Sequence, residues 1–173
     1  PTRRSSDLDL TIAGSGGVAA AAGVAIASNS LTQNTSVDRG FRMEADGGSL
    51  NVSGASTPTA DTYLLGVAGG MGAVGLSAAI SKVKPTLNTT LGAKGEGTAS
   101  LGTLSSVSVL NDSASTASAN VLSLSGGAKS LQGSLLLVFN ETDATAKLAN
   151  VSAQEIGAVT VNADLEAKGD ARL

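Results

Sequence analysis

Apolar and polar residues alternate in short runs that recur in one order along the chain, each bounded by glycine-rich punctuation. Ser49-Leu-Asn-Val-Ser, Leu104-Ser-Ser-Val-Ser-Val-Leu and Val159-Thr-Val-Asn-Ala have the period of two that marks a strand with one buried face. Val52 and Val109 lie 57 residues apart, and Val109 and Val161 lie 52 apart. A glycine pair followed by small, mostly apolar residues also occurs three times, starting at Gly16, Gly69 and Gly126. Those intervals of 53 and 57 residues point to a repeat architecture. The drift fits insertions confined to turns.

Three units follow, at about 9–56, 57–114 and 115–173, with Pro58 punctuating the first boundary. Each unit holds about four short β-prone segments, roughly 14 residues apart. Val18 to Ala27 is rich in alanine, the best helix former, so a helix competes there. Its counterparts decide against helix, since Leu135-Leu-Leu-Val-Phe is β-prone and the run from Ala73 to Ile80 contains a glycine. Equivalent segments share one conformation, and strand is the expectation for all three. The glycines between strands suit turns that need positive φ.

Composition sharpens the picture. Aromatic residues make up 2% of the chain and charged residues 14%, with no His, Cys or Trp. Bulky side chains for a deep globular core are scarce, whereas Ala, Gly, Ser, Thr, Val and Leu suit a thin core shared between stacked layers. The predicted fold is therefore all-β, a parallel β-helix (β-solenoid) built from three divergent repeats of ~55 residues. A coil of ~20 residues would give about eight coils and a rod on the order of 40 Å long.

Charge and residue chemistry exclude several classes. A net charge of −3 without a basic stripe argues against nucleic acid. Absent cysteine excludes a disulfide framework and a thiolate metal site. No apolar run reaches the ~18 to 20 residues of a membrane-spanning helix. Leu10-Thr-Ile-Ala-Gly-Ser-Gly-Gly-Val-Ala imitates a strand and phosphate loop, with Asp38 at a suggestive distance. Neither later copy keeps the motif in full, so a structural turn is the better reading.

Glu141 with Asp143, and Asp164 with Glu166, have the spacing that puts two carboxylates on one strand face. Such pairs can bind Ca²⁺ or do acid–base work, but no coordinating set recurs between units, so a solvated face is expected. Lys82 and Lys84 read the same way. Without His, a Ser/His/Asp triad lacks its base. Six Asn-x-Ser/Thr sequons, at Asn34, Asn51, Asn88, Asn111, Asn140 and Asn150, suit either glycosylation or stacked asparagine ladders. No catalytic, cofactor-binding or metal-ligating residue is assigned. The expectation is a chain that is not an enzyme and takes no cofactor.

The ends look unlike the rest. Pro1 to Leu8, with its pair of arginines, resembles the conceptual translation of a sequencing-adapter oligonucleotide, so a non-native leader is expected at 1–8. The repeat region, 9–173, is expected to be an internal piece of a longer protein.

The glycine-centred units, the Ser-Val-Ser-Val and Val-Thr-Val-Asn-Ala strands and the polar Asn-Thr-Thr corner resemble the repeats of large bacterial filamentous adhesins, the filamentous-haemagglutinin and leukotoxin-type families. The resemblance covers nearly all of the chain after Leu8. It implies a right-handed parallel β-helix, export through an outer-membrane partner, and a stalk or adhesin role in a secreted, cell-surface virulence factor. It also implies two kinds of partner: neighbouring repeats of the same chain, and a host-cell or extracellular-matrix protein or glycan. Two other β-helix functions compete. A polysaccharide-acting enzyme would need acidic and basic groups recurring across coils and aromatics to stack sugars, and Tyr63 is the only Tyr. An ice-binding solenoid would need Thr-x-Thr on every coil, and Thr57-Pro-Thr-Ala-Asp-Thr occurs once.

Overall fold

A computed structural model describes residues 4–14 and 16–173, and among these every regular element is a β-strand. The strands are β1 (Arg4–Gly14), β2 (Val18–Asn29), β3 (Thr32–Val37), β4 (Arg42–Asp46), β5 (Ser49–Ser56) and β6 (Thr59–Gly69). They continue with β7 (Gly72–Val83), β8 (Thr86–Leu91), β9 (Ala99–Gly126), β10 (Lys129–Asn140), β11 (Asp143–Leu148) and β12 (Val151–Arg172).

The chain winds through three sheets in a fixed cycle, and every pairing is parallel. The first sheet runs β1-β6-β9-β12, with β4 and β5 also on β9; the second runs β10-β7-β2 and the third β11-β8-β3. Each circuit returns one layer higher, which is the winding of a parallel β-helix. Val18 pairs with Gly72, and Gly72 with Lys129; Val52 pairs with Val109, and Val109 with Val161. One repeat is thus one coil. The expected coil of ~20 residues is too short by more than half: the chain makes about three wide coils, not eight narrow ones.

The wide coil is flattened. The first sheet forms one layer, whose longest strand, β9, has 28 residues and spans about 90 Å if fully extended. The other two sheets lie against it end to end. Thr62 Oγ1 donates to Ile80 O at 2.9 Å and Ser81 Oγ to Ala60 O at 2.7 Å, tying the first sheet to the second. Asn111 Nδ2 donates to Leu87 O at 3.0 Å and ties it to the third. β9 runs through residues 114 and 115, so the chain has no structural break there.

A thin interior accounts for the composition. At the end near the third sheet the core is Val52, Leu91, Leu101, Leu104, Val107 and Val109. Toward the glycine turns it shrinks to Ala21, Ala68 and Ala73. The layers approach so closely there that a β-carbon on Gly23 would stand 2.7 Å from Thr11 Oγ1 and 3.0 Å from Leu64 Cδ1. No ring fits such a gap, which removes the need for aromatics.

The turns continue the ladder between coils. Gly70 N donates to Gly126 O at 3.1 Å, and Lys129 N to Met71 O at 3.2 Å. Positive φ belongs to a different corner, at Gly40, Gly92, Gly95 and Gly97, and to Gly47 and Gly48. Neither Gly69 and Gly70 nor Gly126 and Gly127 need it. The requirement at that turn is closeness, since a β-carbon on Gly127 would overlap the Gly70 carbonyl.

Residues 4–8, set apart above as leader, belong to β1, and Arg4 pairs with Thr59. Pro1 to Arg3 and Ser15 lie outside the described residues.

Candidate interaction surface

An apolar sheet can hide only one face in a two-layer fold, yet the second sheet is apolar on both. Inward it presents Ala19, Ala21, Ala25 and Ala27 on β2, and Ala73, Ala79 and Val83 on β7, all buried. Outward, β2 carries Val18, Ala20, Ala22, Val24 and Ile26, and Val24 is 60% exposed. β7 presents Val74, Leu76, Ala78 and Ile80 on the same side, with Leu76 58% exposed. β10 presents Leu131, Leu135, Leu137 and Phe139, with Leu131 68% exposed.

Register stacks these into columns. Ala20, Val74 and Leu131 form one; Val24, Ala78 and Leu135 another; Ile26, Ile80 and Leu137 a third. Gly133 opens a shallow groove of about 460 Å³ between Leu76 and Leu135. The first sheet repeats the theme behind the same turns, with Leu8, Leu10 and Ile12 exposed on β1 and Leu122 and Leu124 on β9.

The sequence carries the electrostatic counterpart. Residues 10–37 and 62–81 contain no Asp, Glu, Lys or Arg, and between Asp112 and Glu141 the single charge is Lys129. The glycine-turn end of the molecule is an apolar blade. The signal was present in Leu135-Leu-Leu-Val-Phe, where consecutive apolar residues must occupy both faces of a strand.

Other candidate chemistry disperses. Glu141 and Asp143 do not share a strand: Glu141 sits at the corner after β10, and Asp143 opens β11. Glu141 instead accepts from Lys84, Nζ to Oε2 3.1 Å, and the Lys84 hydrogen bond and charge, with Lys82 behind them, lower its pKa. Asp164 and Glu166 do share the outer face of β12, where Glu166 pairs with Lys168 at 2.7 Å. The Gly14-to-Val18 turn leads into a strand, so no helix N-terminus stands behind it to receive a phosphate. Among the described residues no three His, Cys, Asp or Glu side chains are placed to hold a metal ion.

A cleft of about 640 Å³ lies along β4, lined by Arg42, Glu44, Asp46, Ser100 and Gln154 among others. Its floor is the irregularity between Met43 and Asp46. Arg42 and Glu44 neutralise each other at 2.7 Å, both well exposed.

The sequons divide by face. Asn34 and Asn51 are exposed, and Asn34 accepts from Asn88 Nδ2 at 3.0 Å in an outer ladder, whereas Asn111 is buried. No helix of the described residues is long and apolar enough to cross a membrane. No protein-family model, curated protein or solved structure matches the chain.

Proposed function

We propose that this chain is a structural and adhesive repeat segment of a secreted bacterial cell-surface filament, without catalysis. One observation carries the reading. Val159, Val161 and Leu165 of β12 are 52%, 44% and 46% exposed, yet they continue the interior columns of Val107, Val109 and Ser113, which are 1% exposed or less. Each interior column thus runs in register from coil to coil, as Val52, Val109 and Val161 do, an arrangement whose length grows with the number of coils. A stack of that kind is a rod, and its repeating outer surface can space or present adhesive contacts to host-cell or matrix protein or glycan.

Antibody raised against the chain and applied as immunogold to intact bacteria expressing the gene tests this. Label along filaments outside the cell is expected; label found only after permeabilisation overturns the reading. Binding to a panel of matrix proteins and glycans then separates adhesion from spacing.

A further inference from the structure

We propose that the outer face of the second sheet is a self-association surface, on which two copies of the chain pack face to face as a closed dimer. The inference goes beyond the filament reading, since it concerns the flank of the coil and not its stacking ends.

The face sets small positions on one edge level with large ones on the other. β2 offers Ala20 and Ser28, while β10, at the opposite edge, offers Leu131 and Phe139 at the same levels. A two-fold axis parallel to the strands, lying between two such sheets, inverts the strand order. It seats β10 of one copy over β2 of the other, so Leu131 meets Ala20 and Leu135 meets Val24. Large meets small at Leu131 over Ala20 and at Phe139 over Ser28, twice over by symmetry, while Leu76 of each copy faces the space beside Ala22 and Gly133. Lys129 and Phe139, at the ends of β10, frame the patch.

Area is sufficient for association and no more. Three strands ~4.8 Å apart and about 12 residues long cover on the order of 570 Å² per copy, about 1,100 Å² for the pair. That is at the lower limit of specific interfaces, so a reversible dimer is expected.

A bilayer interior is the competing environment for an apolar blade, and the backbone opposes it. The blade ends in the turns at Gly70-Met71 and Gly127-Ala128, beside the Lys129 charge, and hydrocarbon does not accommodate irregular backbone of that kind. In a dimer those turns stay in water.

Sedimentation velocity between about 1 and 100 µM tests the proposal, a range that brackets a weak interface of this area. The wild-type chain is expected to pass from a 16.8 kDa monomer to twice that mass and stop. Leu131→Ala and Ala20→Leu are each expected to weaken the dimer about tenfold, and the double variant to recover to within about threefold of wild type. Both positions are exposed, so circular dichroism is expected to stay unchanged. A monomer throughout the range overturns the proposal. So does Ala20→Leu strengthening association, which marks unspecific stickiness. Growth past two copies, unaffected by either variant, assigns association to the strand edges instead. Flotation with phosphatidylcholine vesicles in the absence of a dimer assigns the blade to lipid.

Discussion

Ile156 stands directly over Leu104 in the parallel ladder between β12 and β9, and the two share one apolar column. Leu104 is 2% exposed because layers close over it from both sides; Ile156, in the outermost layer, is only half-buried. Chemically similar positions therefore differ in energy. Leu104→Ala is expected to cost about 2–5 kcal/mol in urea unfolding, as buried leucine truncations do. Ile156→Ala is expected to cost clearly less, because solvent already reaches the space a cavity would occupy. Equal losses would mean that the column is not graded by layer.

Adjacent glycines give a sharper contrast. A β-carbon on Gly126 would meet nothing within 4 Å, whereas one on Gly127 would overlap the Gly70 carbonyl of the coil below. Gly127→Ala is expected to destabilise by about 1–3 kcal/mol, since backbone must move. Gly126→Ala is expected to stay within about 0.5 kcal/mol of wild type. Thermal unfolding of the two variants side by side measures the difference.

Much of the fold was legible in the sequence, though not the size of a turn. Val52, Val109 and Val161, matched from their alternating strands, are true register partners. Matching by glycine pairs was less reliable. The first turn has three residues between Gly14 and Val18, whereas the later turns have two, at Gly70-Met71 and Gly127-Ala128. Register before the turn is offset by 55 residues, as Gly14 to Gly69, and after it by 54, as Val18 to Gly72. Aligning Gly16 with Gly69 therefore places the following strand one residue out of step. A slip of one exchanges inside for outside: Val18, 80% exposed, pairs with Gly72, one residue before the buried Ala73. Coil width was illegible for a different reason. Alternation reports which face is buried but not what lies across from it, so short runs gave no sign that β9 would continue for 28 residues. The interaction face went unread because apolar residues were assigned to the interior alone.

Between the second and third coils, the corner is held by Lys84 and Glu141, whose Nζ–Oε2 distance is 3.1 Å. The hydrogen bond from Lys84 comes first among the causes that lower the Glu141 pKa below 4.5, followed by the charges of Lys84 and Lys82. A carboxylate with a depressed folded-state pKa contributes stability above its unfolded value. The contribution is lost as pH falls through the folded value. Since both side chains are more than half exposed, salt screens the effect. In an NMR titration Lys84→Met is expected to raise the Glu141 midpoint toward 4.5, and an unchanged midpoint would remove the pair from the account.

Asn111 and Asn34 carry the same sequon and opposite expectations. Asn34 shares an outer ladder with Asn88 at 3.0 Å, where water can replace either partner. Asn111 is 2% exposed, and its Nδ2 reaches Leu87 O at 3.0 Å and Thr145 O at 3.2 Å, linking the two layers across two successive coils. Truncating Asn111 to Ala deletes both bonds and leaves polar groups buried, an expected loss of about 1–3 kcal/mol. Asn34→Ala is expected to change stability by no more than about 0.5 kcal/mol. Denaturant midpoints of the two variants measure this directly, and hydrogen exchange locates it. With Asn111 removed, protection is expected to fall along both β8 and β11, because one side chain serves both. Loss confined to a single strand would show that the asparagine does not couple the coils.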